Sequence, residues 1–390
     1  MPSSSPISIS RAEARDYLLG HLGLRAIVDP PGAEGARALL RRLRAIQLDP
    51  LDPIGTNADL VVMARVDGVR RGELPGMLMP GYAFEHFAKE RCLLPASAFP
   101  YYRDRLAESS WWHFATRIDR LPEGVVEAVY AEIEARGPLT AADLGDHGAV
   151  DPIDWSGWKG TQKAASMAIE VLWSRCRIVV AGRTGRGKLW DLPERALGPV
   201  VNEPSGDFSR WAIGERAEAA GLLSRNMGPW WSMLTEVRTS TLPDEMIADG
   251  AVVEVAVEGI PRRFLAPPDF LDRRFPEDDG RLRILAPLDP VLWDRKLVQH
   301  LWGFEYLWEV YKPAELRRWG WYVHPLLHHG EFVGRLEGRI EGKTLAIHRI
   351  WGEPDRELDR DALKAALDRH AELCGANRVK LPRRVLKGRR

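Results

Sequence analysis

Apolar residues recur at three- and four-residue spacing over residues 11–22 and again over 33–46, where Leu39, Leu40, Leu43 and Ile46 form one stripe. Both stretches are predicted as helices. Ser10 caps the first, and the second should end before Asp49-Pro50, because the residue ahead of a proline is pushed out of the α region. Residues 8–136 thus read as one helical unit. From Gly137 a different order sets in. Thr140-Ala141-Ala142-Asp143 is predicted as the capped start of a short helix, with Thr140 as its cap. Residues 161–176 form an amphipathic helix with Ala164, Met167, Ile169, Val171 and Leu172 on its apolar side. Two strands follow, 177–181 and 188–192, joined by Gly182-Arg183-Thr184-Gly185-Arg186-Gly187. Helix, helix, strand, basic glycine turn, strand is the order of a winged helix, which is assigned to 137–204.

A fainter copy spans 205–268: a helix over 208–221, a recognition helix over 230–242, a strand over 252–258, and a turn at Gly259-Ile260-Pro261 into 262–266. The helical first unit has room for a third copy. Residues 267–280, rich in proline and acid, read as a linker. In 281–390, short alternating strands between Trp321 and Trp351 are broken at His329-Gly330 and Glu341-Gly342-Lys343. An amphipathic helix over 360–373 and a basic tail close the chain. The predicted class is α+β: tandem winged-helix (helix-turn-helix) domains followed by a small antiparallel sheet or barrel.

Composition narrows the class more than the function. The 390 residues are 45% hydrophobic and 28% charged, as in soluble globular proteins of several units. No apolar run approaches the roughly 18–20 residues that span a bilayer. The first residues lack the charged and apolar regions of a secretory signal, so the expected location is the cytoplasm, with no membrane partner. The three cysteines, Cys92, Cys176 and Cys374, are far apart and form no Cys-x-x-Cys pair. That spacing argues against a thiolate zinc site, and buried packing is the expected role. Net charge is zero, but it is unevenly spread. Arg41, Arg42 and Arg44 form one basic run, and Lys380, Arg383, Arg384, Lys387, Arg389 and Arg390 lie in another. A neutral chain with such patches can still bind phosphate backbones.

Gly182 to Lys188 matches the spacing of a phosphate-binding loop, but Leu189 follows where Ser or Thr is needed, and a strand follows where a helix is needed. As the wing of a winged helix, Arg183, Arg186 and Lys188 would meet DNA phosphates, which position a protein without specifying sequence. The plainer reading is a solvated basic turn. In Ile46-Gln47-Leu48-Asp49-Pro50 an extended backbone puts Gln47 and Asp49 on one face and Leu48 on the core side. An amide can orient a water and a carboxylate can take its proton, although by itself Gln-x-Asp is equally a polar loop edge. The pairs Trp111-Trp112 and Trp230-Trp231 offer stacking surfaces for bases, with core packing the expected use. His324, His328 and His329 lack an evident carboxylate co-ligand, and no metal or cofactor is expected. Asp294-Arg295 is read as a structural ion pair.

Together these blocks resemble the AlkZ/YcaQ superfamily of DNA glycosylases. Gln47-Leu48-Asp49, after a basic helix, is similar to that family's Gln-apolar-Gln/Asp motif. Phe84 to Pro95 resembles the segment ending in Leu-Leu-Pro. Leu285-Ala286-Pro287-Leu288-Asp289-Pro290-Val291-Leu292-Trp293-Asp294-Arg295 is the closest match, continued by Phe304-Glu305-Tyr306 and Tyr322-Val323-His324-Pro325-Leu326-Leu327. The resemblance implies tandem winged helices around a C-shaped cleft with a β-barrel attached. It implies monofunctional excision of N-alkylated purines from double-stranded DNA by a monomer, and in some members unhooking of interstrand crosslinks. It assigns Gln47 and Asp49 as the catalytic pair, on the side of the YcaQ branch, which carries Asp at the second position. Arg41, Arg44, Arg383 and Arg384 join the wing cations as candidate DNA contacts. One departure is Lys89, which stands where the family block has His. A non-catalytic winged-helix regulator would use the same folds without needing Gln47 and Asp49.

Overall fold

The computed structural model describes residues 5–107, 118–151 and 163–387. They divide into two compact units, one comprising Met1–Met77, Phe87–Cys92 and Ala212–Arg390, the other Leu78–His86 and Leu93–Trp211.

In the first unit, helix Arg11–His21 begins with the expected cap. The Ser10 hydroxyl accepts from Glu13 N, and the Glu13 carboxylate accepts from Ser10 N at 2.7 Å, so two otherwise orphaned amides are satisfied. Helix Gly32–Leu43 buries the stripe Ala36, Leu39, Leu40 and Leu43. It stops sooner than the sequence suggests. Arg44 takes a left-handed conformation (φ 60°), and Ile46–Gln47 is already a strand. The chain exchanges helical hydrogen bonds for a sheet partner, Leu48 N donating to Arg91 O at 2.8 Å.

Strand Ile7–Ile9 lies parallel to Val253–Val257, which pairs antiparallel with Arg263–Ala266, and Leu223–Ser224 completes this four-stranded sheet. Val255 and Val257 point inward, the period-two pattern read from 252–258. Gly259 (φ 68°) makes the turn, with the Arg11 guanidinium packed where a Cβ would stand. The expected recognition helix over 230–242 does not form as one element. A 3-10 turn Pro229–Trp231, helix Thr235–Thr239 and helix Leu242–Ala248 occupy that stretch instead. Trp230 and Trp231 go into the core, and the Trp231 indole donates to Ser224 O at 2.6 Å. Burying two large rings in one turn outweighs continuing a helix there.

Residues 267–280 are a packed strap rather than a linker. Phe270 meets the Tyr17 ring edge-on at 5.5 Å. Arg273 pairs with Glu218 and Asp269, both at 2.7 Å, and Phe275 fills the space left by the missing side chain of Gly20. Buried aromatic area and charge pairing override the loop-like composition.

The C-terminal sheet runs Arg283–Ile284, His324–His328, Glu331–Glu341, Thr344–Gly352, all antiparallel. After helix Arg360–Leu373, strands Arg378–Lys380 and Leu386–Lys387 add parallel to Thr344–Gly352, as a crossover through a helix permits. Register shifts at Leu326/Leu327 and Glu337/Gly338 bend the strands. The sheet curls as a half-barrel. It is neither closed nor wholly antiparallel, which corrects the expected barrel.

In the second unit, helices Val125–Arg136 and Ala164–Ser174 precede the hairpin Val179–Thr184/Gly187–Asp191. Arg183 pairs with Lys188 across a two-residue turn. The Gly182–Lys188 segment is therefore the end of a hairpin, not a phosphate loop. Thr140 and Asp143 cap each other as expected, Thr140 N donating to Asp143 Oδ2 at 2.9 Å, but the chain turns once and does not continue as a helix. No described helix is long and apolar enough to cross a membrane.

Candidate active site

Gln47 ends the strand Ile46–Gln47 and is held from two sides. Its backbone oxygen accepts from Asn57 Nδ2 at 2.8 Å, and its side-chain Oε1 accepts from Lys89 Nζ at 2.8 Å. The residue is 6% exposed, and Leu48 is only half-buried. The expected division, with Leu48 inside and Gln47 on an open face, is reversed. A glutamine tolerates that burial because its oxygens are paired.

Asn57 is the clamp. Fully buried at the start of helix Asn57–Met63, it accepts from Leu288 N at 2.9 Å through Oδ1 while its amide nitrogen holds Gln47 O. The Gln-x-Asp strand is thereby tied to the Leu288-Asp289-Pro290 segment. That segment is anchored in turn by Arg65, whose guanidinium makes two 2.8 Å bonds to the Asp289 carboxylate and donates to Leu22 O and Val61 O, with both side chains wholly buried. Asp289 also accepts from Val291 N. The charge pair is thus fully hydrogen-bonded, the condition under which a buried ion pair is tolerable.

Asp49 is half-buried beyond the strand, with Oδ1 accepting from Leu51 N at 3.0 Å. Burial raises its pKa above the ordinary aspartate value, and the Leu51 amide opposes the rise. The Asp49 charge acts on the Tyr322 hydroxyl, which is buried with no hydrogen-bond partner among the described residues. Lys89 sits with its ammonium 5.1 Å from the centre of the Trp293 ring, and burial lowers its pKa. This chain therefore puts an amine directly on the glutamine. The Thr56/Asp59 capping box of the Asn57 helix is visible as a motif. The contacts of Asn57 and Lys89 join residues far apart in sequence, and no local pattern marks them.

The expected DNA contacts divide into two groups. Arg41 is exposed on its helix, and Arg383 and Arg384 are exposed in the tail. Arg186 is the most open cation of the hairpin, 2.7 Å from Asp143. Arg183 and Lys188 both pair with the Glu85 carboxylate, which is wholly buried, Lys188 at 2.5 Å. Arg44 is half-buried, 3.8 Å from Glu215. The hairpin thus carries three cations against Glu85 and Asp143, and its surplus is smaller than its sequence suggests.

Asp294 pairs with Arg262 at 3.0 Å rather than with Arg295, and caps helix Arg295–Trp302 through Leu297 N. Among the described residues no group of three metal-ligating side chains stands together. His324 and His328 meet the backbone oxygens of Leu285 and Gly280, and His329 lies near Asp278. Cys92 and Cys176 are buried and Cys374 half-buried, and burial pushes all three thiols up, Cys374 to about 12. Trp111-Trp112 lie outside the described residues.

Comparison with known proteins bears on this geometry. A family model described as DNA glycosylase AlkZ-like matches residues 40–373, a span holding Gln47, Asp49, Asn57, Lys89 and the Leu288–Asp294 block. Among solved structures, the Streptomyces sahachiroi DNA glycosylase AlkZ is similar with a TM-score of 0.61, covering 96% of this chain and 100% of that one at 16% identity, a likeness of fold. The chain belongs to the AlkZ-like family of DNA glycosylases.

Proposed function

We propose that this protein hydrolyses the N-glycosidic bond of N-alkylated purines in double-stranded DNA, with Gln47 and Asp49 as the catalytic pair. The carrying observation is the clamping of Gln47: Asn57 fixes its backbone and Lys89 its side-chain oxygen. Because the ammonium occupies Oε1, the N–H groups of Gln47 are left to orient a water. Asp49, partly desolvated, has a pKa raised toward the working pH, which suits a general base. Alkylation at N7 or N3 makes the purine a cationic leaving group, so the site needs little general acid. It must stabilise positive character on the sugar and deliver water from the opposite face, and an ionised carboxylate does both. Water is the nucleophile, so the glycosylase is monofunctional and leaves an abasic site. The proposed substrate class extends to crosslinked bases, for which a site that works without full base extrusion is better suited.

Helices Val125–Arg136 and Ala164–Ser174 with their basic hairpin support the reading of a winged helix that grips duplex backbone. Arg186, Arg41, Arg383 and Arg384 are the most exposed cations for that grip, with Arg183, Lys188 and Arg44 as partly neutralised contributors. The enzyme is proposed to work as a monomer on the nucleoid, in the cytoplasm, and to side with the Gln-x-Asp branch of its family.

The test incubates the protein with duplex DNA carrying one 7-methylguanine, then a nitrogen-mustard crosslink. Wild type should yield alkali-cleavable abasic product, and Asp49→Asn should yield none while keeping DNA affinity. The wild-type rate should fall as pH drops through a pKa above that of an ordinary aspartate, because only the ionised form is a base. Excision by Asp49→Asn would remove the carboxylate from the mechanism. Tight sequence-selective binding to intact DNA without excision would favour a regulator.

A further inference from the structure

Next to Lys89 lies a cavity of about 520 Å³ in the first unit. Its floor is apolar, with Leu288, Leu292 and Trp293 all buried and Met227 exposed at its rim. Four basic side chains line it, Lys89, Arg262, Arg295 and Lys296, against one carboxylate, Asp294. That carboxylate is already engaged by Arg262 and by Leu297 N. Lys89 is committed to Gln47. Arg295 and Lys296 are exposed, and among the described residues neither has an ion-pair partner.

Their position is unfavourable for the free protein. They are the first two residues of helix Arg295–Trp302, whose first turn contains no acidic residue. Two cations there face each other at a helix end whose positive charge the Asp294 cap offsets. An anion seated between them would relieve their mutual repulsion. An apolar floor beside a cationic rim matches one ligand class, a nucleotide, with its base on the apolar surface and its phosphate on the cations.

We propose that this cavity is a nucleotide subsite of the DNA-binding surface, taking a backbone phosphate on Arg295 and Lys296 and the adjoining base against Met227 and the Trp293 floor. The inference rests on the DNA reading above and adds to it a site beside Gln47. Through Lys89, one side chain touches both the subsite and the proposed catalytic amide.

The experiment measures binding of the full chain to a fluorescent duplex bearing a tetrahydrofuran abasic analogue, from low to moderate salt. Replacing Arg295 and Lys296 together by Gln should raise Kd about tenfold or more at low salt. It should also reduce the slope of log K against log salt by about one, since a phosphate contact contributes roughly 0.9. Met227→Ala should weaken binding at every salt concentration with the slope unchanged. A double variant that melts as wild type does and keeps its affinity and slope overturns the subsite. If the double variant is destabilised, the single Lys296→Gln change, expected to weaken binding more at low salt than at moderate salt, decides in its place. Wild-type excision of 7-methylguanine, run in parallel, tests the glycosylase reading separately. Excision with unchanged slopes sinks the subsite alone, and a fallen slope without excision keeps the subsite and sinks the catalytic reading.

Discussion

Asn57 is the residue on which the site depends most for its shape. Its single side chain satisfies one buried acceptor and one buried donor, Gln47 O and Leu288 N. Truncation to Ala removes both bonds and leaves two buried backbone groups unsatisfied, at about 1–3 kcal/mol each before relaxation or water entry. Asn57→Ala should therefore lower the urea midpoint and, at a temperature where it remains folded, slow excision at saturating DNA. Asp at this position can replace only the acceptor half, so Asn57→Asp should not rescue. If Asn57→Ala is destabilised but excises at the wild-type rate, Gln47 needs no clamp and Lys89 alone suffices. Very little of this could be read from the sequence. Asn57 follows a helix-capping threonine and looks like an ordinary first-turn residue, and its partner Leu288 lies 231 positions away. Lys89 was visible as a departure from a pattern, but its contact with Gln47 spans 42 positions, and no local periodicity encodes it.

At the scale of elements, the hairpin Val179–Thr184/Gly187–Asp191 was legible because its information is local: β-branched residues and a two-residue turn containing glycine. Helix Arg360–Leu373 and the Ser10 cap were legible for the same reason. Early termination at Arg44, the broken stretch after Pro229 and the packed strap over 267–280 are decided by distant partners, and local propensity misreads all three. The charge of the hairpin belongs with these. Glu85 sits in a different strand, wholly buried, with the Trp173 indole on its backbone oxygen at 2.8 Å and both Arg183 and Lys188 on its carboxylate. Glu85→Gln should cost about 1–3 kcal/mol, since charged hydrogen bonds are lost while the two cations can turn to solvent. The freed cations give the test. If the hairpin meets phosphate, Glu85→Gln should bind duplex more tightly, with a salt slope steeper by about one to two. A destabilised variant with an unchanged slope would take the hairpin off the DNA.

For the molecule as a whole, three of the buried histidines make stability depend on pH over a window set by their environments. His21 is lowered to about 4, mainly by burial and then by the charges of Arg273 and Arg42, against the favourable bond to Glu218 O. His370 is likewise lowered to about 4, bonded to Ile54 O at 2.7 Å, and His324 is lowered to about 3 with its Nε2 unpartnered. Each is neutral in the folded protein, whereas an unfolded histidine takes up its proton near pH 6.5. Between pH 6.5 and about 4 the unfolded chain therefore binds more protons. Stability is complete above 6.5 and falls as pH decreases, by up to about 1.4 kcal/mol per pH unit for each histidine. The raised carboxylates Asp49, Asp59 and Glu215 work in the opposite direction, since acid relieves their burial. Strongly paired groups such as Asp104, lowered to about 2, lose their contribution only below the histidine window. The net expectation is a urea midpoint that drops steeply from pH 7 to pH 5, with His21→Gln flattening the drop because glutamine has no proton to gain. A midpoint that holds constant across that range would mean that the fold accommodates these histidines charged. Arg273 and Arg42 would then have to withdraw from His21, a rearrangement that would carry the 267–280 strap with it.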